Sequence, residues 1–364
     1  MKVYFDGQIF IDQVTGGISR YYANLASELS HLPFVKARII APLHRNEHLS
    51  DQRRAPTMGI RVPAHWRAGR VCWATLRLAS PIISAIGRPD IAHETYFPVK
   101  PYLTTARRRV TTVYDMIHEL YFPGSMTSEH KKTALARCDH VLCISKNTQK
   151  DLCELFDFPI ERTSVTYLSY QDFGAFRGSP RPAVLQDKKP YFLHVGHRSY
   201  YKNFPVLVRA FASSAYLKNN FRLVCFGGAE MTDHERSYAL ELGLSEEHIT
   251  HMKGGDDVLG SVYVHATAFV CPSLYEGFGI PPLEAMSVGC PVLSSNRSSL
   301  PEVVGDGGIL FDPEDHENLR VAMEQVAESE YLRKDLASRG YLQCQQFTWK
   351  QCATDTLQAY QRVL

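Results

Sequence analysis

Residues 272–286 have the sequence PSLYEGFGIPPLEAM, the densest pattern of glycine, proline and acidic residues in the chain. An apolar run, Ala268–Cys271, precedes it and predicts a buried strand, and the helical pattern 281–288 follows. Proline suits a first helical turn because its missing N–H group has no partner to lose there. The helix start presents free N–H groups and a partial positive charge. This order predicts a parallel α/β unit with a polar site at its glycine turn.

Two glycines and two glutamates carry the chemistry of this motif. Gly277 and Gly279 have no Cβ, so backbone N–H groups beside them can approach a ligand closely. Glu276 precedes the helix and Glu284 lies inside it, so both carboxylates can point into one cleft. Carboxylates accept strong hydrogen bonds from hydroxyls, so one could hold a sugar and the other a ribose. The alternative is a turn followed by a helix with surface glutamates.

Strand-like and helix-like patterns alternate in both halves of the chain. In the first half the predicted strands are 3–10, 110–114 and 140–144, and the predicted helices are 18–32, 128–136 and 146–156. In the second half the strands are 191–195, 221–226, 268–271 and 291–294, and the helices are 204–215, 234–242, 281–288, 318–329 and 331–345. The pattern predicts two doubly wound parallel sheets, which bind ligands beyond the carboxyl ends of their strands.

A segment rich in proline, glycine and charge separates the two halves. We therefore predict a domain over 1–172, a linker over 173–189 and a second domain over 190–349, with a cleft between the domains. A final helix, about 350–364, either completes the second domain or packs back on the first. The sequence leaves both options open.

Composition limits the class of protein. The chain has 364 residues, 45% hydrophobic and 21% charged, which is typical of a globular protein of two domains. No apolar run is long enough to span a bilayer, and the first residues lack the apolar core of a secretory signal. The nine cysteines form no C-x-x-C pair, so we expect reduced thiols in a cytoplasmic protein. A net charge of +2 does not indicate a nucleic-acid partner.

Basic residues are concentrated between Arg53 and Arg109. This window holds ten arginines and Lys100 but only two acids, Asp90 and Glu94, and it includes two tryptophans. Arginine interleaved with tryptophan suits an anionic membrane surface or a phosphorylated acceptor. We expect peripheral contact with the cytoplasmic face of the inner membrane; a solvated basic face is the alternative.

The motif 272–286 resembles the signature of the family 4 glycosyltransferases, and the resemblance extends over nearly the whole chain. Matches to other elements of that family are Gly16-Gly17-Ile18 after the first strand, His118 in Tyr114-Asp115-Met116-Ile117-His118-Glu119, Ser145 at a helix start, Gly196, Arg198, Lys202 and Asn203 in a G-x-R-x-x-x-K-N element, and Glu302 in Leu300-Pro301-Glu302-Val303.

The resemblance implies the GT-B fold, in which two Rossmann-like domains face a cleft: an acceptor-binding domain over 1–172 and a nucleotide-sugar-binding domain over 190–349. It also implies retaining transfer of a hexose from a nucleotide sugar to an acceptor. It implies that His118 contacts the donor sugar near its 6-hydroxyl. The catalytic assignments are His118, Arg198, Lys202 and Glu276, and the substrate-binding assignments are Gly16, Gly17, Ser145, Gly196, Asn203, Gly277, Phe278, Gly279, Glu284 and Glu302.

Several of these residues also have a direct chemical interpretation. Arg198 and Lys202 follow a strand end, where two cations would stabilise the charge of a departing diphosphate. His118 follows a strand and could hydrogen-bond a hydroxyl or carry a proton. Ser145 could bind an acceptor phosphate or simply cap its helix. Gly16-Gly17 could approach an anion or form a tight turn.

We expect no metal and no other cofactor, because the chain has no D-x-D motif to hold a diphosphate through a divalent ion. The nucleotide sugar is a substrate. Three histidine pairs have spacings that would allow metal ligation but lack further ligands, so we interpret them as structural: His44/His48, His194/His197 and His248/His251.

The segments 114–119 and 200–204 look similar to those of bacterial mannosyltransferases that build O-antigens or exopolysaccharides. The resemblance therefore favours GDP-mannose as donor and a glycan or lipid-linked oligosaccharide as acceptor. Another GDP- or UDP-sugar, a sugar-nucleotide epimerase on the same scaffold, and a non-catalytic nucleotide-sugar-binding partner are the alternatives. The chain departs from the family pattern at 252–257, beside the base pocket, and at 167–172, near the hinge.

Overall fold

The computed structural model describes residues 1–50, 56–63, 66–186, 189–198 and 200–364, with the backbone alone at 66–68. The chain forms two compact units. The first contains Met1–Leu168 together with Thr348–Leu364, and the second contains Ser169–Phe347. The last helix therefore belongs to the first unit. The segment 173–189, predicted as a linker, lies within the second unit, where Phe173 is buried against Phe176 and Tyr263.

A seven-stranded parallel sheet forms the centre of the first unit, in the order β3-β2-β1-β4-β5-β6-β7. Its strands are β1 (Lys2–Asp6), β2 (Lys36–His44), β3 (Thr57–Arg61), β4 (Ile91–Glu94), β5 (Arg108–Val113), β6 (His140–Cys143) and β7 (Thr163–Val165). Its helices are α1 (Gln8–Asp12), α2 (Gly17–His31), α3 (Trp66–Gly87), α4 (Ile117–Tyr121), α5 (Met126–Arg137), α6 (Lys146–Phe156) and the last helix, α15 (Trp349–Val363).

A six-stranded parallel sheet forms the centre of the second unit, in the order β10-β9-β8-β11-β12-β13. Its strands are β8 (Tyr191–Val195), β9 (Arg222–Phe226), β10 (Ile249–Met252), β11 (Ala268–Cys271), β12 (Val292–Ser295) and β13 (Ile309–Phe311). Its helices are α7 (Phe204–Ala212), α8 (Ala215–Asn220), α9 (Asp233–Glu241), α10 (Asp256–His265), α11 (Ile280–Ser287), α12 (Leu300–Val304), α13 (His316–Glu328) and α14 (Glu330–Cys344).

Both units are Rossmann-like, as predicted, but one predicted strand is wrong in length. The strand expected over 3–10 ends at Asp6, and α1 begins at Gln8. Both segments are buried, and a short buried helix has the same unbroken apolar sequence as a buried strand. Gly7 joins the two segments and passes close to β2. Only glycine fits there without a shift, because a Cβ would lie 2.7 Å from the Ile40 carbonyl oxygen.

In each sheet the order of the strands reverses at the first strand of the unit. β1 lies between β2 and β4, and β8 lies between β9 and β11. Such a reversal leaves a crevice at the carboxyl ends of the two central strands, because the crossover connections leave in opposite directions. The loops after β1 and β4, and those after β8 and β11, therefore mark the two places where a ligand would bind.

Candidate active site

The crevice of the second unit brings together two loops that are distant in sequence. One loop, 196–203, follows β8, and the other, 272–279, follows β11. Lys202 donates from Nζ to both carboxylate oxygens of Glu276, over 2.7 and 2.9 Å. The Ser273 hydroxyl donates to the same carboxylate over 2.6 Å. Two residues that the sequence assigned to catalysis are therefore in direct contact.

Lys202 is held in its charged form. Burial alone would lower the pKa of its ammonium group, but the charge and hydrogen bonds of Glu276 outweigh burial and raise that pKa. Nearby His194 is neutral, since burial first, and also the charges of Lys202 and Arg198, lower its pKa to about 4. The crevice thus combines fixed positive charge with a neutral imidazole.

Arg198 lies in the same crevice with its side chain almost completely buried. Its Nε and one Nη donate to the Glu235 carboxylate over 2.8 and 3.3 Å, and the same Nη reaches the Ala229 carbonyl oxygen at 2.7 Å. The other nitrogen, Nη1, is buried and has no hydrogen-bond partner among the described residues. A buried guanidinium nitrogen in this state can donate to an anionic ligand.

Backbone geometry explains the glycines of the site. Gly196 has φ +114° and Gly279 has φ +111°, which side-chain-bearing residues adopt only with strain. A Cβ on Gly279 would also lie 2.9 Å from Leu300 Cδ2. Gly279 is the N-cap of α11, and Pro281 and Pro282 occupy the first turn of that helix, as predicted.

The segment 276–279 is anchored by its carbonyl groups and by one aromatic ring. The Ser299 hydroxyl lies 2.8 and 2.7 Å from the Glu276 and Phe278 carbonyl oxygens and shares its one proton between them. Phe278 is buried and meets the Phe347 ring edge-on. Gly277 lies between these two anchored residues. The turn is therefore held rigidly before α11.

Three further predicted residues lie in the second unit but outside the Lys202–Glu276 contact. Glu284 is buried on α11 and accepts a hydrogen bond of 3.1 Å from the Tyr263 hydroxyl. Asn203 caps α7 in a left-handed conformation, and its amide donates to the Pro313 carbonyl oxygen over 2.7 Å. Glu302 is half-buried on α12. Their roles toward a substrate stay predictions.

In the first unit, His118 lies on α4. Its Nδ1 is buried and has no hydrogen-bond partner among the described residues, and its ring packs beside Phe122. Buried Lys131 holds the segment in place by donating to Glu119 over 2.7 Å and to the Asp115 carbonyl oxygen over 2.8 Å. The imidazole is therefore positioned with one nitrogen available for a substrate group.

The other predicted residues of the first unit lie at helix starts. Ser145 is buried as the N-cap of α6 and accepts from the Thr148 amide over 3.0 Å, so its hydroxyl performs the capping role that the sequence left as one of two options. Gly16 is the N-cap of α2. A Cβ on Gly16 would clash with the Gln13 side chain. Gly17 has open space at its Cβ position.

Several arginines of the arginine-rich window make ion pairs or hydrogen bonds within the first unit. Arg53 and Arg54 lie outside the described residues, as do the side chains of Trp66 and Arg67. Other arginines are occupied within the first unit: Arg61 pairs with Glu47, Arg109 pairs with buried Glu94, and Arg107 and Arg108 bind carbonyl oxygens at the end of α15. The window is thus not one free basic face.

Sequence reasoning missed three residues that support the site. Glu235 binds Arg198, Ser273 binds Glu276, and Lys131 supports the His118 segment. Only Glu235 had a usable signal: Thr232-x-x-Glu235 has the spacing of a capping box, and the structure contains that box. Burial alone would raise the pKa of the Glu235 carboxyl. The hydrogen bond from Arg198 and that from the Thr232 backbone N–H outweigh burial and lower this pKa.

The described residues show neither a cluster of metal ligands nor a helix fit to cross a membrane. No three His, Cys, Asp or Glu side chains within the described ranges lie close enough to hold a metal ion. In the same part of the chain, no helix combines the length and apolar character that crossing a bilayer requires.

Residues 15–168 match the model of Glycosyltransferase Family 4, and residues 178–343 match that of Glycosyl transferases group 1. O-antigen chain mannosyltransferase B of Escherichia coli is 30% identical over 381 aligned positions, covering 99% of each chain. An O-antigen chain mannosyltransferase of Salmonella typhimurium is 27% identical over 261 positions, covering 70% of this chain and 68% of that protein. The structure of a Rickettsia africae glycosyltransferase matches with a TM-score of 0.71 at 16% identity, covering 100% of this chain and 98% of that one.

Two Rossmann-like units, each built on a parallel sheet, give the chain the GT-B fold. The chain belongs to glycosyltransferase family 4, and it is a hexosyltransferase.

Proposed function

We propose that this enzyme transfers mannose from GDP-mannose, with retention of configuration, to a glycan or lipid-linked acceptor in cell-surface polysaccharide synthesis. The relative that is 30% identical over nearly the full length of both chains is named an O-antigen chain mannosyltransferase, and so is the Salmonella typhimurium relative. These names support the sugar and the acceptor class. The base, the stereochemistry and the linkage rest on the resemblance of the motifs.

The observation that carries the proposal is that Nη1 of buried Arg198, in the same crevice as the charged Lys202, has no hydrogen-bond partner within the described ranges. When a glycosyl bond breaks, the departing nucleoside diphosphate gains negative charge. Donors fixed in a crevice that excludes water stabilise this charge more than solvent does. We propose that Arg198 and Lys202 do so without a divalent metal.

Retention requires the acceptor hydroxyl to attack the anomeric carbon on the face from which the diphosphate leaves. The C–O bond to the diphosphate breaks as the new glycosidic bond forms, and a β-phosphate oxygen takes the acceptor proton. Glu276, held by Lys202 and Ser273, would accept hydrogen bonds from sugar hydroxyls. His118 offers its Nδ1, to which no residue in the described part of the chain hydrogen-bonds, to a substrate hydroxyl.

The test is incubation of the purified enzyme with a panel of GDP- and UDP-sugars, followed by measurement of nucleoside diphosphate release. We expect slow release from GDP-mannose that EDTA does not diminish. Preferential release from a UDP-sugar would overturn the donor. Loss of turnover in EDTA that added Mg²⁺ restores would overturn metal independence.

We also propose that α3 docks on an anionic membrane. Val71, Leu78, Ile82 and Ile86 are exposed and recur on one face of this helix. Arg70 and Arg77 follow the edge of that face at helical spacing. An apolar stripe with a cationic border is typical of a helix that lies in the interface of an anionic bilayer.

Vesicle sedimentation tests this contact. We expect binding to phosphatidylglycerol vesicles, weaker binding to phosphatidylcholine, and a loss of about fivefold or more in the Ile82→Glu variant. Leu342→Glu is the matched control, because Leu342 is equally exposed on α14 of the second unit. Equal sedimentation of the two variants and the parent would contradict docking through α3.

A further inference from the structure

Arg198 and Lys202 belong to one loop, 196–203, but their carboxylate partners lie on opposite sides of it. Lys202 pairs with Glu276, which follows β11, and Arg198 pairs with Glu235, in the first turn of α9 after β9. β9 and β11 flank β8 in the sheet, so the two ion pairs extend in opposite directions. Glu276 is predicted to contact the sugar, whereas no step of the proposed transfer uses Glu235.

The contacts of Glu235 determine which part of the Arg198 guanidinium is left for a ligand. An arginine side chain has five N–H groups in a fixed planar fork. Nε and Nη2 donate to the two carboxylate oxygens of Glu235 over 2.8 and 3.3 Å, and Nη2 also donates to the Ala229 carbonyl oxygen over 2.7 Å. The remaining N–H groups are therefore both on Nη1, to which no residue of the described ranges hydrogen-bonds.

The ion pair is fixed at both of its ends. The Arg198 side chain is only 4% exposed, and Glu235 accepts a further hydrogen bond of 2.7 Å from the Thr232 backbone N–H at the start of α9. Removing one partner of a buried ion pair leaves the other charge without compensation, so Arg198 would turn toward solvent if Glu235 were lost. The orientation of the guanidinium thus depends on this carboxylate.

We propose that Glu235 is a positioning residue, which holds Arg198 so that Nη1 is presented to the pyrophosphate of the donor. Glu235 itself touches no substrate. It fixes the N–H groups of Nη1 before the leaving diphosphate gains charge, so the site need not reorganise during the reaction. The proposal rests on the proposed function for the role of Arg198, but it applies to any base and any sugar of the donor. The alternative is a carboxylate that only caps α9.

The Glu235→Gln variant separates these two roles. Glutamine also serves at this position of a capping box, because its amide oxygen accepts the Thr232 N–H bond. It cannot accept both bonds from Arg198, since its amide nitrogen is a donor. We expect kcat to fall about tenfold or more, measured from initial rates with saturating donor, while circular dichroism shows a folded chain.

Thr232→Val is the matched control for the cap. It removes the hydroxyl that caps α9 but keeps the backbone N–H and the Arg198–Glu235 ion pair. This variant should therefore unfold at a lower urea concentration and keep the kcat of the parent.

A double-mutant cycle shows whether Glu235 acts through Arg198. Arg198→Ala should lower kcat about 10²-fold, and adding Glu235→Gln should lower it no further. Isothermal titration with the nucleoside diphosphate and the nucleoside of the preferred donor gives a second readout. Glu235→Gln should weaken binding of the diphosphate about tenfold and leave that of the nucleoside unchanged, which general loss of structure would not do.

An unchanged kcat in Glu235→Gln beside an impaired Arg198→Ala would overturn the positioning role alone. A further loss of kcat in the double variant would overturn it too, as would an equal loss in Thr232→Val. An unchanged kcat in Arg198→Ala would count against the proposed function as well, because the cation would then not stabilise the leaving group. If the glutamine variant does not fold, the same outcomes apply to Glu235→Asp, whose shorter side chain keeps the charge but cannot make both contacts.

Discussion

Lys202 and Glu276 are 74 residues apart in the chain but make two short contacts. Each had been predicted from its own motif, because both residue types suit a polar crevice. Neither motif specifies that the ammonium group pairs with this carboxylate. The pairing arises because β8 and β11 are neighbours in the sheet, so that the loops after them meet.

Replacing Lys202 with alanine should lower kcat on the order of 10²-fold or more, because the leaving diphosphate loses a fixed positive charge. Initial rates with saturating donor measure this effect, and circular dichroism shows whether the variant is folded. Lys334→Ala is the matched control, since Lys334 pairs with Glu330 at an exposed position on α14. An unchanged kcat in Lys202→Ala would remove the residue from the catalytic machinery.

Asp6 gives a second prediction at this scale. It lies at the carboxyl end of β1 and is fully buried. Its carboxylate accepts hydrogen bonds from the Thr95 hydroxyl and from the backbone N–H of Gln8. Burial outweighs these bonds and raises its pKa from 3.8 to about 7. An acid whose pKa rises on folding contributes stability at low pH, and this contribution is lost as the pH rises from about 4 to about 7.

Asparagine at position 6 does not titrate, whereas Asp6 costs the parent stability as the pH rises. The free energy of unfolding of Asp6→Asn minus that of the parent should therefore increase from pH 4 to pH 8. One pKa unit corresponds to about 1.4 kcal/mol, so we expect a relative gain on the order of 2–4 kcal/mol. Urea unfolding at several pH values measures it. A difference between variant and parent that stays constant over this range would show that Asp6 is ionised in the folded state.

At the scale of elements, local periodicity succeeded where helices are amphipathic and failed where segments are uniformly buried. Helix α6 has the predicted bounds, Lys146–Phe156, because its apolar spacing and its Ser145 cap both mark them. The strand predicted over 3–10 is wrong after Asp6, where α1 follows. Gln8–Ile11 are all buried, so this helix has no alternation of polar and apolar faces that would distinguish it from a buried strand. The helix predicted over 204–215 ends at Ala212, and Ser214 caps a separate α8.

Helix α15 is fixed to the first unit by a buried polar contact as well as by packing on α2. The Tyr360 hydroxyl lies 2.6 Å from His93 Nδ1, and His93 Nε2 lies 2.9 Å from the Thr112 hydroxyl. Burial lowers the pKa of His93 to about 3, so its ring is neutral and both nitrogens need partners. The contact is therefore costly to break.

Tyr360→Phe should lower the free energy of unfolding by about 1–3 kcal/mol, because it leaves a buried ring nitrogen without a partner. Urea denaturation followed by tryptophan fluorescence measures the change. Tyr331→Phe serves as the control, since that tyrosine is exposed on α14. If both variants were equally stable, the Tyr360–His93 contact would contribute nothing to the docking of α15.

At the scale of the whole molecule, the end of the chain completes the unit in which the chain begins. The buried face of α15 consists of Cys352, Ala353, Thr356, Ala359 and Tyr360. Deleting residues 348–364 should expose the apolar surface beneath this face and make the first unit susceptible to proteolysis. Deleting only 361–364 keeps the buried face and should leave the first unit resistant. Equal protease resistance of the two truncated chains would contradict this role.

The sequence by itself determined the two α/β halves, the glycine turn before α11 and the kinds of residue at the site, because each depends on spacing within a short segment. The tertiary structure alone decided that Lys202 pairs with Glu276 and that α15 joins the first unit. It alone also decided that Arg198, bound to Glu235, keeps one nitrogen to which none of the described residues hydrogen-bonds. These outcomes depend on which strands become neighbours, and burial of apolar surface over a whole unit selects that order.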